Sequence, residues 1–281
     1  MLNAHMISPR SMSVEATPVP AEVGPRMAPG KPGRHYRPLI GYVTILALVA
    51  LWQLCWEVGL LNRVIIPSPT ELARTFVKLS LDGTLLANTL ASLGRVAIGY
   101  ALAVVVGLPM GLALGRVRLL REIFLPTVEL LRPVPPLAWV PLAIVWFGIG
   151  NGPAYFIVFL AAIFPIFVNA LDGASSIDKV YFRAAECLGF GAWRTFRKVT
   201  WPASLPQILT GLRVAMGIAW MAVVGAEMIA ARSGLGYMIY EGSVLLLTDF
   251  IVAGMITVGI LGAASTLALS LMQSWILRWR A

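Results

Sequence analysis

Residues 251 to 276 run for 26 positions without a single Asp, Glu, Lys or Arg. A hydrocarbon core of about 30 Å takes roughly 20 helical residues at about 1.5 Å each, so this stretch is long enough to cross it. In lipid every backbone N–H and C=O must find an internal partner, and a single apolar run meets that condition only as a helix. A β-barrel would show short alternating segments instead. Five comparable stretches precede it, at about 39 to 58, 86 to 114, 123 to 149, 154 to 173 and 204 to 230. With 58% hydrophobic and 12% charged residues in 281, the sequence predicts an all-α integral membrane protein with six transmembrane helices.

The net charge is +9, from 22 Lys and Arg against 13 Asp and Glu. These cations are spread over short loops and form no basic patch with interleaved aromatics, so nucleic acid is not an expected partner. They report topology instead. With the N-terminus inside, fifteen fall on the cytoplasmic side: Arg10, Arg26, Lys31, Arg34, Arg37, Arg116, Arg118, Arg121, Lys179, Arg183, Arg194, Arg197, Lys198, Arg278 and Arg280. Four fall outside: Arg63, Arg74, Lys78 and Arg232. The bias places both termini in the cytoplasm. The remaining three, Arg95, Arg132 and Arg213, lie in or at the edge of spans.

Residues 1–37 carry six prolines and no apolar period, which reads as a disordered cytoplasmic tail, leaving 38–281 as the membrane domain. No apolar core followed by a small-residue cleavage site is present in the tail, so the first span is expected to remain as an anchor. The third span carries Pro126, Pro133, Pro135, Pro136 and Pro141, each lacking a backbone donor. Broken backbone at membrane depth belongs where it is buried in protein or lines a wet cavity, so residues 133 to 141 are expected beside a translocation path.

Two segments outside the spans are informative. Ser68, Pro69 and Glu71 form a capping box at the start of a short helix, with Leu72, Phe76, Val77 and Leu79 expected on one apolar side along the outer membrane face. The loop 174 to 202 is amphipathic. Ser175 and Asp178 suggest a second capping box, Val180, Ala184 and Leu188 recur at four-residue spacing, and Gly189 suits a helix stop. After Gly191 a second short helix groups Trp193, Phe196 and Val199 and is expected to end before Pro202. Such a helix–turn–helix has an apolar face its own loop cannot bury, which calls for a partner protein at the membrane surface.

This loop, Arg183-Ala-Ala-Glu-Cys-Leu-Gly189 followed by Phe196, Val199, Trp201-Pro202 and Pro206, resembles the EAA loop of ABC importer permeases. Ala184, Ala185, Gly189, Pro202 and Gly211 fall in register over 28 residues. Arg183 departs from the pattern, which usually has Glu there. Ile66-Pro-Ser-Pro69, Ser92-Leu-Gly-Arg-Val96, Gly107-Leu-Pro-Met-Gly111, Leu131-Arg-Pro-Val-Pro-Pro-Leu-Ala-Trp-Val-Pro141, Trp146-Phe-Gly-Ile149, Thr210-Gly-Leu-Arg213 and Gly234-Leu-Gly-Tyr237 narrow the resemblance to the nitrate, sulfonate, taurine and bicarbonate branch. The Arg-Pro-Val-Pro-Pro-Leu-Ala-Trp run with Arg183-Ala-Ala looks most similar to taurine permeases.

The resemblance implies a type I importer permease of a bacterial inner membrane, working as a homodimer with a periplasmic solute-binding protein. Two ATPase subunits, which bind the ATP and Mg, would couple through Arg183, Ala184, Ala185, Glu186, Gly189, Phe196 and Pro202. No cofactor is implied in this chain, and no Walker A sequence occurs in it. The solute implied is a small anion such as taurine, another sulfonate, nitrate or bicarbonate; aromatic carboxylates stay open.

Candidate path or gate residues are Arg132, Pro135, Trp139, Trp146, Arg213, Trp220 and Glu227. Arg132 and Arg213 either supply a positive field for an anionic solute or pair structurally, with Glu129 or Glu227 as partners, or snorkel. Arg95 reads the same way. The tryptophans either line a path or pack and anchor at interfaces. Gly99, Gly107, Gly111 and Gly115 form a small-residue stripe for close helix packing. Glu129, Glu227 and Glu241 lack the His, nucleophile or metal-ligand company that would make an enzyme. A secondary transporter would show ten or more spans or an inverted repeat, and a scaffold would need no docking loop.

Overall fold

In the computed structural model, which describes residues 37–60, 62 and 66–278, every apolar stretch is helical and no strand occurs among the described residues. The expected tail at residues 1–36 lies outside them. The chain divides into two units, residues 1–48 and 49–281. The boundary falls within α1, Arg37–Glu57, and the packing described below belongs to the second unit.

Four helical runs are long and apolar enough to cross a membrane: α3, Thr84–Arg116; α6, Asn151–Ser175; the run Ala192–Ala230; and Thr248–Ile276, numbered α11. The expected third span is a bent pair. It begins earlier than expected, with α4 at Arg118–Leu131, turns through 85°, and resumes as a 3₁₀ turn at Pro136–Trp139 leading into α5, Val140–Phe147. Pro133, Pro135 and Pro136 withhold three of four amide donors at the corner, and the Val134 amide between them reaches only to Leu131 O, so no i→i−4 ladder carries the helix through it. α1 supplies the sixth helix, at 21 residues.

α6 is the centre of the bundle, gripped between α3 and α9, Trp201–Ala230. The glycine stripe permits the grip. A Cβ on Gly99 would stand 2.7 Å from Val158, and one on Gly115 would stand 2.6 Å from Ala174. Together with buried Ala103, the stripe lets α3 lie backbone-close to α6. On the other side Gly211 abuts Asn169, and Ala215, Ala219, Val223 and Ala226 of α9 are fully buried.

α2, Pro69–Leu81, carries the expected capping box: Ser68 Oγ accepts from the Glu71 amide at 3.1 Å and the Glu71 carboxylate accepts from the Ser68 amide at 3.0 Å. Leu72 and Leu79 are buried against Met238 and Ala253. Val77 departs from the expectation and is exposed, because at 100° per residue it falls nearly opposite the Leu72–Thr75–Leu79 stripe. Thr75 donates to Asp249 at 2.7 Å, fixing α2 to the start of α11. Before α11, the short α10, Leu235–Val244, packs Met238 and Ile239 over Gly254.

Candidate functional site

The loop between α6 and α9 differs from its sequence reading at both ends. Ser175 is still the last residue of α6, so it forms no capping box; Asp178 alone caps α7, Lys179–Cys187, accepting from the Val180 amide at 2.9 Å. α7 stops as expected. Gly189 takes φ +69°, its amide donates to Glu186 O, and the Phe190 amide donates to Ala185 O, the paired bonds of a Schellman motif. The second helix does not end before Pro202. α8, Ala192–Thr195, passes through a π turn at Phe196–Thr200 straight into α9. Pro202 has no N–H for Lys198 O, and the Trp201 amide reaches back five residues to Phe196 O, so the missing bond is absorbed by widening the turn.

This geometry sorts the loop's side chains. Ala185 is buried against the bundle, whereas Val180 and Leu188 are 60% and 70% exposed and Arg183, Ala184 and Glu186 point outward with them. Trp193, 74% exposed, stacks on Phe196 at 5.7 Å. Arg116, the last residue of α3, lies 3.6 Å over the Phe182 ring and joins α7 to the bundle. Phe190 sits beneath Arg194 and Lys198.

At the other end of α9 is a buried polar cluster. Glu227 is fully buried and pairs with Arg95, also buried, at 2.7 Å. Neither Arg132 nor Arg213 is its partner, and Arg132 is exposed at the corner after α4. All five N–H donors of Arg95 are engaged: Nε and Nη2 on Asn151 Oδ1, Nη2 also on Ser233 Oγ, Nη1 on Glu227 and on Ser233 O. Glu227 further accepts from Ser92 Oγ, 2.8 Å from both carboxylate oxygens, and from the Gly236 amide at 2.9 Å. Ser92 Oγ in turn accepts from the Leu235 amide and Asn88 from that of Gly234. Gly234 holds φ +111° with its Cα so close to Arg95 and Glu227 that a Cβ would strike both. The cluster therefore ties α3, the start of α6, the end of α9 and the loop before α10 into one block. The sequence reading left Arg95 as one of three arginines that could pair with Glu129 or Glu227, and missed Ser92, Asn151 and Ser233 as supports of the pair. The signal was depth: Arg95 and Glu227 lie near the same end of two antiparallel spans.

A cavity of about 940 Å³ opens between α9 and α11. Arg213 and Trp220 line it, alone among the candidate path residues. The Trp220 indole donates to Ser265 Oγ at 2.9 Å. Trp139 is half-buried against the core formed by α5, α6 and α9, Pro135 is exposed at the corner, and Trp146 packs edge-on against Phe147 and Phe156. Among the described residues no group of three His, Cys, Asp or Glu could hold a metal ion, and Cys55 and Cys187 are both free thiols.

Residues 103–281, from the middle of α3 through α11, match the family of binding-protein-dependent transport system inner membrane components. The chain belongs to that family. This permease is 35% identical to the taurine transport system permease protein TauC of Escherichia coli (strain K12), over 84% of its own chain and 88% of TauC. It is 33% identical to the putative aliphatic sulfonates transport permease protein SsuC of Bacillus subtilis (strain 168), over 89% and 91% of the two chains. It is 37% identical to the bicarbonate transport system permease protein CmpB of Synechocystis sp., over 70% and 74%. The permease superposes on a chain of the MetNI methionine ABC transporter, solved in an inward-facing form, with a TM-score of 0.58 over 66% of its length and 93% of that chain. At 19% identity this likeness speaks for the fold alone, that of a type I ABC importer permease.

Proposed function

We propose that this permease is the transmembrane channel of an ATP-driven importer for a small anion, taurine or another sulfonate, in a bacterial inner membrane with both termini cytoplasmic. The sulfonate and taurine relatives support the solute class. Two copies would form the pathway, a periplasmic binding protein would deliver the solute, and two ATPase subunits, holding ATP and Mg, would dock on the cytoplasmic loop.

The observation that carries this reading is the outward stripe of α7. Val180, Ala184 and Leu188 present apolar surface that no described residue covers. The Schellman turn at Gly189 and the π turn leading to Pro202 fix the direction in which that stripe faces. Helix-in-groove docking on an ATPase satisfies it. Arg183 and Glu186 would edge the contact, Ala185 would hold α7 to the bundle, and Phe196 would bear on the α3 end beside Arg116.

The test is ATP hydrolysis by the permease co-purified with its ATPase in lipid, with and without a taurine-loaded binding protein. Stimulation is expected. Gly189→Val forces a β-branched residue into left-handed backbone, and should abolish transport while membrane insertion persists. Unchanged transport in that variant would refute the coupling role, and failure to co-purify an ATPase would refute the importer reading. Stimulation by bicarbonate or nitrate instead of taurine would move the solute.

A further inference from the structure

We infer that Arg213 is an anion-binding station inside the membrane, where a small organic anion rests against a guanidinium in an otherwise apolar cavity. This rests on the importer reading above for the identity of the anion, but not for the existence of the site.

Arg213 is the thirteenth residue of α9, about 18 Å along the helix from Trp201 at 1.5 Å per residue, and so stands near mid-depth of a bilayer-crossing helix. A guanidinium there is held only with a partner or a water-filled space. Among the described residues no carboxylate lies within ion-pair distance of it; Glu227, the buried acid of the same helix, is consumed by Arg95. Its Nε is sealed from water and donates to nothing. A guanidinium with no counter-charge among the described residues, beside a cavity, suits an anionic ligand.

The lining gives the chemistry of the occupant. Among the described residues no acidic residue lines the cavity, and Arg213 is the single cation on its wall. Thr266, on the facing side of α11, offers a hydroxyl, whereas that of Ser270 donates to Leu267 O; Met221, Val224, Met255 and Val258 are apolar. A planar guanidinium fork matches a two-oxygen face of a sulfonate or carboxylate, and the apolar wall accepts a short hydrocarbon stem. The floor is rigid. Trp220 is fixed by Ser265, and Gly262 lies next to the indole, where a Cβ would make ordinary contact at 3.7 Å.

The experiment places a thiol in the cavity and asks whether it prefers anions. In the permease–ATPase complex, with Cys55 and Cys187 changed to Ser, Thr266→Cys is reacted with sulfonatoethyl and with trimethylammonioethyl methanethiosulfonate, each rate normalised to that of a free thiol. The anionic reagent should react roughly tenfold faster or more, given one unscreened charge in an apolar cleft. Arg213→Gln should erase the preference and Arg213→Lys should keep most of it, and millimolar taurine should slow the reaction. A preference near one, or one that Arg213→Gln leaves intact, would overturn the site. Protection by phosphatidylglycerol but not by taurine would overturn the solute in favour of a lipid headgroup. Because labelling needs no transport, failure to co-purify an ATPase refutes the importer and leaves the anion site standing.

Discussion

At the scale of single residues the Arg95–Glu227 pair is the strongest constraint in the chain. A buried ion pair is kept only when its remaining donors and acceptors are also satisfied, and here Ser92, Asn151, Ser233 and the Gly236 amide complete both groups. Removing one partner leaves the other charge buried and alone. Glu227→Ala is therefore expected to destabilise the folded permease by about 3–5 kcal/mol, measured by denaturant titration in detergent micelles. The double variant Arg95→Ala with Glu227→Ala should lose less than the sum of the two single losses, since it buries no lone charge. Additive losses would mean that the pair is not coupled. Sequence reading recognised both residues as ionisable groups in apolar spans and left Arg95, Arg132 and Arg213 all open as partners of Glu227. Partner choice depends on which helices lie side by side and at what height, and no local pattern near Arg213 or Arg132 distinguishes them from Arg95.

At the scale of elements, long apolar periodicity and glycine spacing were readable because a helix expresses both within its own turn. The Gly99 to Gly115 stripe, the Ser68 capping box and the Gly189 stop all behave as local rules require. The corner at Pro133 to Pro136 was legible for the same reason. The continuation through Pro202 was not. Proline normally ends a helix or begins one, and α8 and α9 reconcile both by a widened turn whose extra residue the tertiary packing of Phe196 and Thr200 accommodates. Pro202→Ala restores the missing N–H and should let residues 196 to 201 relax to regular α-helix. That change turns α8, relative to α9, by up to about 100°, one residue's rotation. The expected outcome is faster loss of ATPase stimulation than of membrane insertion, with altered hydrogen-exchange protection confined to residues 192–202. Unaltered exchange there would show that the π turn has another cause.

At the scale of the whole molecule, α3, α6 and α9 form one block, stitched by small residues along its length and by the Arg95 cluster at one end. α4 has no buried residue and meets this block along one side, where Leu120, Leu125 and Val128 pack on Leu114, Phe167 and Leu171, so its other side is surface left for other chains. The proposed orientation rests on the charge bias, and Cys187 offers a direct check because it is exposed on α7. A membrane-impermeant maleimide should label Cys187 in inside-out vesicles and not in right-side-out ones. Labelling from the other side would reverse the topology, and with it the assignment of α7 as the ATPase contact.

The run Ala192–Ala230 has a mechanical consequence. Its 39 residues amount to about 58 Å of helix, nearly twice the thickness of the apolar core it crosses. With no loop interrupting it, it behaves as a lever with one end beside α7 and the other clamped by Glu227. A tilt of about 10° about its midpoint displaces each end by roughly 5 Å, the rise of one helical turn. Arg213 sits near the fulcrum, where the same tilt moves it least. Force applied at one face of the membrane thus reaches the opposite face as movement, while a group lodged at the midpoint keeps its footing.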